Sequence, residues 1–322
     1  MYKTIIRRVL ILIIQLFAIS LLMFLIAYTI PGDVLTGLTE DPSISPQRLA
    51  EMRDQLGLND PWPVQYGRWI SGIVLRGDFG HSFSHRRPVM DVIGERLSNT
   101  FMLGLFTMVL IYLIAIPLGI IAGRYNDKLV DRTIGVYTYI ALAMPMVVLA
   151  LIGLLIFGFR LQWVPIRGSV GVGLDPWTFE WILSRLHHMI LPAVTAALLG
   201  TVGIIQYLRG EIVRYKYSDF VTTARAKGVP ERKLYSRHIL RNALIPIASN
   251  MGLAIVGLFV GAVFIEQIFS FPGMGRLFLD AITGRDFIIV NAIVMIISAL
   301  TALGVLLSDI ILTIVDPRIR IR

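Results

Sequence analysis

SDFVTTARAKGVPERKLYSRHILRNALIP, residues 218–246, is a basic, sharply punctuated stretch set between two long apolar runs, Ile190 to Leu208 and Ile247 to Phe269. Ser218 suits a helix N-cap and Asp219 suits the positive helix end, while Gly228 followed by Pro230 is a strong stop. The implied helix, Ser218 to Lys227, has about ten residues and a length of roughly 15 Å. That is too short to cross a bilayer. Phe220 stands at its start, and the small side chains of Thr222, Thr223, Ala224 and Ala226 sit beside Arg225 and Lys227. Such a helix can press closely into a groove on another protein. The alternative is a basic loop lying on the membrane surface without a partner.

Apolar residues make up 56% of the 322 positions and charged residues only 16%, far from the balance of a soluble domain. Six runs match the ~20 residues needed to span a ~30 Å hydrocarbon core: Val9 to Ile30, Thr100 to Gly123, Ile134 to Phe159, Ile190 to Leu208, Ile247 to Phe269 and Ile288 to Val315. Glu266 and Asp309 are the charged residues within them. The first run follows Lys3, Arg7 and Arg8, but it exceeds a signal-peptide h-region, and Ala27-Tyr28-Thr29 offers no small-x-small cleavage site. It is expected to remain as the first helix.

With the N-terminus inside, the inside segments carry 18 basic against 6 acidic residues and the outside segments 12 against 13. Positive-inside bias therefore accounts for the net charge of +9, and no nucleic-acid partner is needed to explain it. All five Trp residues, at 62, 69, 163, 177 and 181, fall in segments this topology places outside, where their rings suit the interface. Zero cysteines leave the outer loops without disulfides.

The expectation is an all-α polytopic membrane protein. Residues 1–30 hold the cytoplasmic N-terminus and first helix, and 31–98 form an extracytoplasmic helical segment. Residues 99–315 form a five-helix core with a cytoplasmic loop at 209–243, and 316–322 are a cytoplasmic tail. In the outer segment, Ser45-Pro46 opens a helix that Gly57 closes. A second amphipathic stretch groups Tyr66, Trp69, Ile70 and Ile73 and is expected to lie on the membrane surface. Small residues at Ala115, Gly119 and Gly123, at Ala196 and Gly200, and at Gly257 and Gly261 permit close helix approach. Pro117, Pro145 and Pro192 can each bend or end a helix.

Several chemistries are missing. No Gly-x4-Gly-Lys-Ser/Thr loop is present, so the chain has no recognisable phosphate cradle for ATP. His81 with His85 and His187 with His188 lack the further ligands of a metal site. An aspartyl intramembrane enzyme needs two carboxylates about 3 Å apart, whereas Glu266 lies near the outer end of the fifth run and Asp309 near the inner end of the sixth. A stand-alone secondary transporter would want coupling-ion ligands near the midplane, and no acidic residue is expected there. Glu266, with Gln267, lines an external mouth, or it is an interfacial carboxylate held by Arg276 or by the Pro272-Gly273 turn. Asp309 is expected to make a structural pair with a basic loop residue.

The 218–246 stretch resembles the cytoplasmic loop of binding-protein-dependent ABC importer permeases, whose pattern is Glu-Ala-Ala, three residues, Gly, then an apolar-Leu-Pro element. Here the positions read Thr222-Thr223-Ala224 and Gly228, with Leu244-Ile245-Pro246 farther downstream. Thr-Ala-Arg-Ala-Lys-Gly, with His238 and Arg241-Asn242-Ala243-Leu244, is similar to the dipeptide, oligopeptide and nickel branch. So are Gly57-Leu58-Asn59-Asp60-Pro61, Arg76-Gly77-Asp78-Phe79-Gly80, Glu266 through Arg276, and Asp316-Pro317-Arg318.

The resemblance implies a type I ABC importer permease architecture in a bacterial or archaeal cytoplasmic membrane, with both termini inside. It implies a second permease, two cytoplasmic ATP-binding subunits that carry ATP and Mg, an extracytoplasmic solute-binding protein and surrounding lipid. No cofactor is implied in this chain. Ser218 to Gly228 would dock on an ATPase. Peptides, nickel chelates and glutathione stay open as solutes.

Overall fold

The computed structural model describes residues 2–29, 45–82 and 84–315. The tail at 316–322, with Asp316-Pro317-Arg318, lies outside the described residues, as does 30–44 at the start of the expected outer segment. The described residues fall into two compact units, one within 2–99 together with 273–303 and the other 100–272 together with 304–315.

In the first unit, α1 (Tyr2–Thr29) and α2 (Pro46–Leu56) precede α3 (Trp62–Arg76). The expected caps of α2 are present: Ser45 accepts the Arg48 N–H at 3.2 Å, and Gly57 is left-handed at φ 66°. Part of the amphipathic face of α3 packs on α1. Tyr66 is buried, its hydroxyl meets Ser20 Oγ at 2.8 Å, and Phe24 packs on the rings of Tyr66 and Trp69 at 5.4 and 5.9 Å.

A short antiparallel hairpin follows, β1 (His81–Ser82) with β2 (Arg87–Pro88), pairing His81 with Pro88. It is pinned by buried Asp286, which accepts from Ser82 Oγ at 2.6 Å and from the Ser84 N–H at 3.2 Å. The unit's core joins Val89, Val92 and Ile93 with Met274 and Leu277 of α14 (Met274–Thr283) and Ile289 and Ile293 of α15 (Phe287–Val315).

The second unit contains most of α4 (Val89–Arg124), then α5 (Leu129–Ala143), α6 (Met146–Gly153) and α7 (Phe179–Lys216). It continues with α8 (Asp219–Ala226), α9 (Glu231–Lys233) and α10 (Leu240–Ala243). Then come α11 (Ile245–Ser249), α12 (Met251–Val260) and α13 (Val263–Ile268). Small residues of α4 meet large ones of α7 as the spacing predicts. A Cβ on Gly119 would come within 3.0 Å of Leu208, and one on Gly123 within 2.7 Å of Ile212.

Of the three prolines, Pro117 and Pro192 sit inside continuous helices, while Pro145 caps α6 where the chain turns by 100°. Gly261 breaks the fifth run at φ 81° and ψ 158°, backbone that is essentially restricted to glycine.

Among the described residues, four segments are long and apolar enough to cross a membrane: α4, α7, Met251–Ile268 and Phe287–Thr313. The bent pair Leu129–Ala143 and Met146–Arg160 makes a fifth if it is one span. The first run lies within α1, a helix of 28 residues whose described apolar part is Leu10–Ile26. Of the six expected spans, the described residues thus show four, a fifth if the bent pair is one span, and the apolar stretch of α1 at the first. α4 and α7, at 36 and 38 residues, run well past their apolar windows.

Candidate functional site

The structure forms a helix where the 218–246 stretch predicts one. Ser218 has extended backbone and its carbonyl accepts the Thr222 N–H at 3.0 Å, making it the N-cap. Its hydroxyl departs from the expected role, because it donates to Tyr215 O at 2.6 Å and ties the helix to the end of α7. At the other end Gly228 is left-handed at φ 77°. The Val229 N–H reaches Ala224 O at 3.2 Å and the Gly228 N–H reaches Arg225 O at 3.0 Å, the two bonds of a Schellman stop.

Val221 and Ala224 are buried against Leu208 and Ile212 of α7 and against Leu234 and Ile239. Fully burying a side chain such as Val221 or Leu234 stabilises by about 1.5–3 kcal/mol, which seats this short helix firmly. Ala224 corrects the sequence reading: it does not face outward for docking but belongs to the chain's own core. Asp219, Phe220, Thr222, Thr223, Arg225, Ala226, Lys227 and Gly228 are exposed. Phe220 leans on Tyr215 with ring centroids 6.0 Å apart, and Arg225 donates to Glu231 at 3.0 Å. The outer face is therefore small, polar and basic.

Beside this seat lies a feature the sequence reading missed. Arg209 of α7 forks onto Asp131 of α5, Nε to Oδ1 at 2.6 Å and Nη2 to Oδ2 at 2.7 Å, and Oδ2 also accepts the Asp127 N–H at 2.8 Å. The Asp131 side chain is 5% exposed. Lys216 donates to Asn126 at 3.2 Å, and the Arg124 guanidinium lies 5.2 Å over the Tyr235 ring. An acidic residue two positions into α5 is the available sequence signal, but nothing local names its partner.

A cavity of about 310 Å³ lies among α4, α7 and the broken fifth run. Its walls include Thr107, Tyr112, Gly200, Gly257 and Gly261, with Thr100 and Glu266 also lining it. Glu266 is fully buried and accepts from Thr100 Oγ1 at 2.9 Å. Gln267 is exposed and does not line the cavity, so the two expected mouth residues part. The turn after α13 is closed through backbone, the Phe271 N–H donating to Glu266 O at 2.8 Å. The histidine pair serves nearby carbonyls: His187 meets Trp163 O at 2.8 Å and His188 meets Ser184 O at 2.7 Å. Among the described residues, no group of three or more His, Cys, Asp or Glu is placed to hold a metal.

With the helix, its seat and the cavity in place, the chain can be compared with known families. The model described as binding-protein-dependent transport system inner membrane component matches residues 115–321. The model for the N-terminal part of such membrane components matches residues 1–104. The chain belongs to this family.

The permease is 38% identical over 316 residues to the oligopeptide transport system permease protein AppB of Bacillus subtilis (strain 168), covering 98% of each chain. It is 33% identical over 320 residues to the glutathione transport system permease protein GsiC of Escherichia coli (strain K12), covering 99% of each. Among solved structures, a chain of the MetNI methionine ABC transporter in inward-facing conformations shares the fold, with a TM-score of 0.55 and 13% identity, covering 70% of this permease and 97% of that chain. The permease is thus a multi-pass inner-membrane component of a binding-protein-dependent transport system. The Thr222 hydroxyl turns back to donate to Ser218 O at 3.2 Å.

Proposed function

We propose that this permease is one of two non-identical membrane subunits of an ATP-driven importer that takes peptides from an external binding protein. ATP and Mg would be held by two cytoplasmic ATPase subunits, with no cofactor in this chain. The observation that carries the reading is α8: a helix closed at both ends, seated by Val221 and Ala224 on its own core, with a small and basic face turned outward. A rigid peg of this kind fits a groove on an ATPase and moves with it, so closure of the ATPases becomes a rigid-body movement of the spans.

Peptide as the solute is supported by the names of relatives such as AppB. Glutathione, itself a small peptide-like solute, is favoured as a second reading by the similarity to GsiC. In this account the cavity bordered by Glu266 is this subunit's share of the path, with Glu266 towards its outer mouth. The N- and C-termini and loop 209–243 lie in the cytoplasm, and 31–98 lies outside.

Topology gives the first test, and the absence of cysteine makes it clean. In intact cells an impermeant thiol reagent should label Asn59→Cys and leave Lys227→Cys untouched until the membrane is opened. Both positions are exposed. Labelling of position 227 from outside would overturn the orientation and the ATPase docking with it.

A further inference from the structure

We propose that Asp131 and Arg209 are positioning residues that carry a displacement of α8 into α5, the start of the bent third span. The inference rests on the importer reading above, and it concerns how that importer couples ATP hydrolysis to movement.

α8 is seated through Val221 and Ala224 on Leu208 and Ile212 of α7, so a displacement of α8 acts on the end of α7. Arg209 follows Leu208 directly and grips Asp131 with two parallel hydrogen bonds of 2.6 and 2.7 Å. A bidentate guanidinium–carboxylate fork fixes angle as well as distance, which a single lysine contact does not.

The carboxylate is held from its own side too. Its Oδ2 accepts the N–H of Asp127, a residue at φ 64°, so the loop before α5 is clamped with the helix. Asn126 in that loop is bonded by Lys216 from the last turn of α7. Farther along α5, Tyr137 OH donates to Leu198 O at 2.7 Å and meets Thr201 Oγ1 at 2.7 Å. α5 is therefore fastened to α7 at two levels, and the ionic fork is the level nearer α8. Asp131 is nearly enclosed while Arg209 is 41% exposed, so the fork sits at the edge of the packed zone. There it can transmit force without a large desolvation cost for the arginine.

The test uses the whole importer in nanodiscs: both permeases, the ATPases and the binding protein. Peptide moved per ATP hydrolysed is measured per assembled complex. Asp131→Asn and Arg209→Gln should each lower that ratio about tenfold, with Asp131→Asn/Arg209→Gln no worse than either single change. The exchange Asp131→Arg/Arg209→Asp should recover several-fold. Arg209→Lys keeps the charge and loses the fork; it should give an intermediate ratio, and it decides the matter if the neutral variants fail to assemble. An unchanged ratio in every assembled variant would overturn the proposal. So would independent, additive losses, or uptake that falls only in step with the amount of complex. Should the unaltered complex hydrolyse ATP and move no peptide, the peptide reading would fail on its own, whatever the pair does.

Discussion

Gly228→Val is expected to abolish uptake and to weaken retention of the ATPase subunits on purification. Nothing lies within 4 Å of a Cβ built at Gly228, so crowding is not the reason. The reason is the backbone, which is left-handed there at φ 77°. A side chain in that region costs about 1–2 kcal/mol, and a β-branched residue is a genuine outlier. Relieving the strain means surrendering the two bonds that close α8, from Val229 N to Ala224 O and from Gly228 N to Arg225 O. The last turn would then fray, and Arg225, Ala226 and Lys227 would lose their fixed places on the outer face. Gly228→Asn should be far milder, since Asn tolerates the left-handed region. Uptake and ATPase retention in the two variants, compared at equal permease level, check the argument. Equal, near-normal behaviour of both would mean that the helix end has no part in docking.

Gly252→Leu is expected to remove folded permease from the membrane, a loss upstream of transport. Gly252 of α12 abuts the other arm of a crossing with α15. A Cβ at Gly252 would fall on the backbone at Ser308 and Gly304, and one at Gly304 would fall on the Val256 side chain. Backbone cannot step aside as a flexible side chain can, so the helices must separate. The hydrogen bond from Leu253 N to Ser308 Oγ, at 3.2 Å, would be lost as they part. Overpacking costs about 1–3 kcal/mol, and more where the obstructing atoms are backbone and cannot relax. Gly257, on the same helix, has nothing within 4 Å of a Cβ, so Gly257→Ala is the matched control. Size-exclusion profiles of detergent-extracted, fluorescently tagged permease should show a folded peak for Gly257→Ala and little or none for Gly252→Leu. A normal peak for Gly252→Leu would contradict the crossing.

Locally punctuated features were legible in sequence, and pairings between distant positions were not. Ser45-Pro46 with Gly57, and Ser218 with Gly228 and Pro230, each announce a helix by residues whose backbone preferences act within one turn. Ala115, Gly119 and Gly123 announce a close contact through their spacing, although spacing cannot say that Leu208 and Ile212 fill it. Ala224 was misjudged because small size suits an inner seat as well as an outer face, and only the position of α7 decides between them. Asp131 and Arg209 are separated by 78 positions, with no periodic signature linking them. Gly261 looked like a packing residue and proved to be a break in the fifth run. A glycine's composition is the same in both roles, and only its φ and ψ of 81° and 158° tell them apart.

In the assembled importer the outer face of α8 is expected to touch an ATPase subunit, and its inner face is not. Single cysteines at Thr223, exposed, and at Val221, buried, can be introduced into this cysteine-free chain within the assembled importer and treated with a short thiol-to-lysine crosslinker. The account predicts an adduct between position 223 and an ATPase chain, changed in yield when ATP is added, and none from position 221. Absence of any ATPase adduct from position 223 in a complex that is transporting would contradict it.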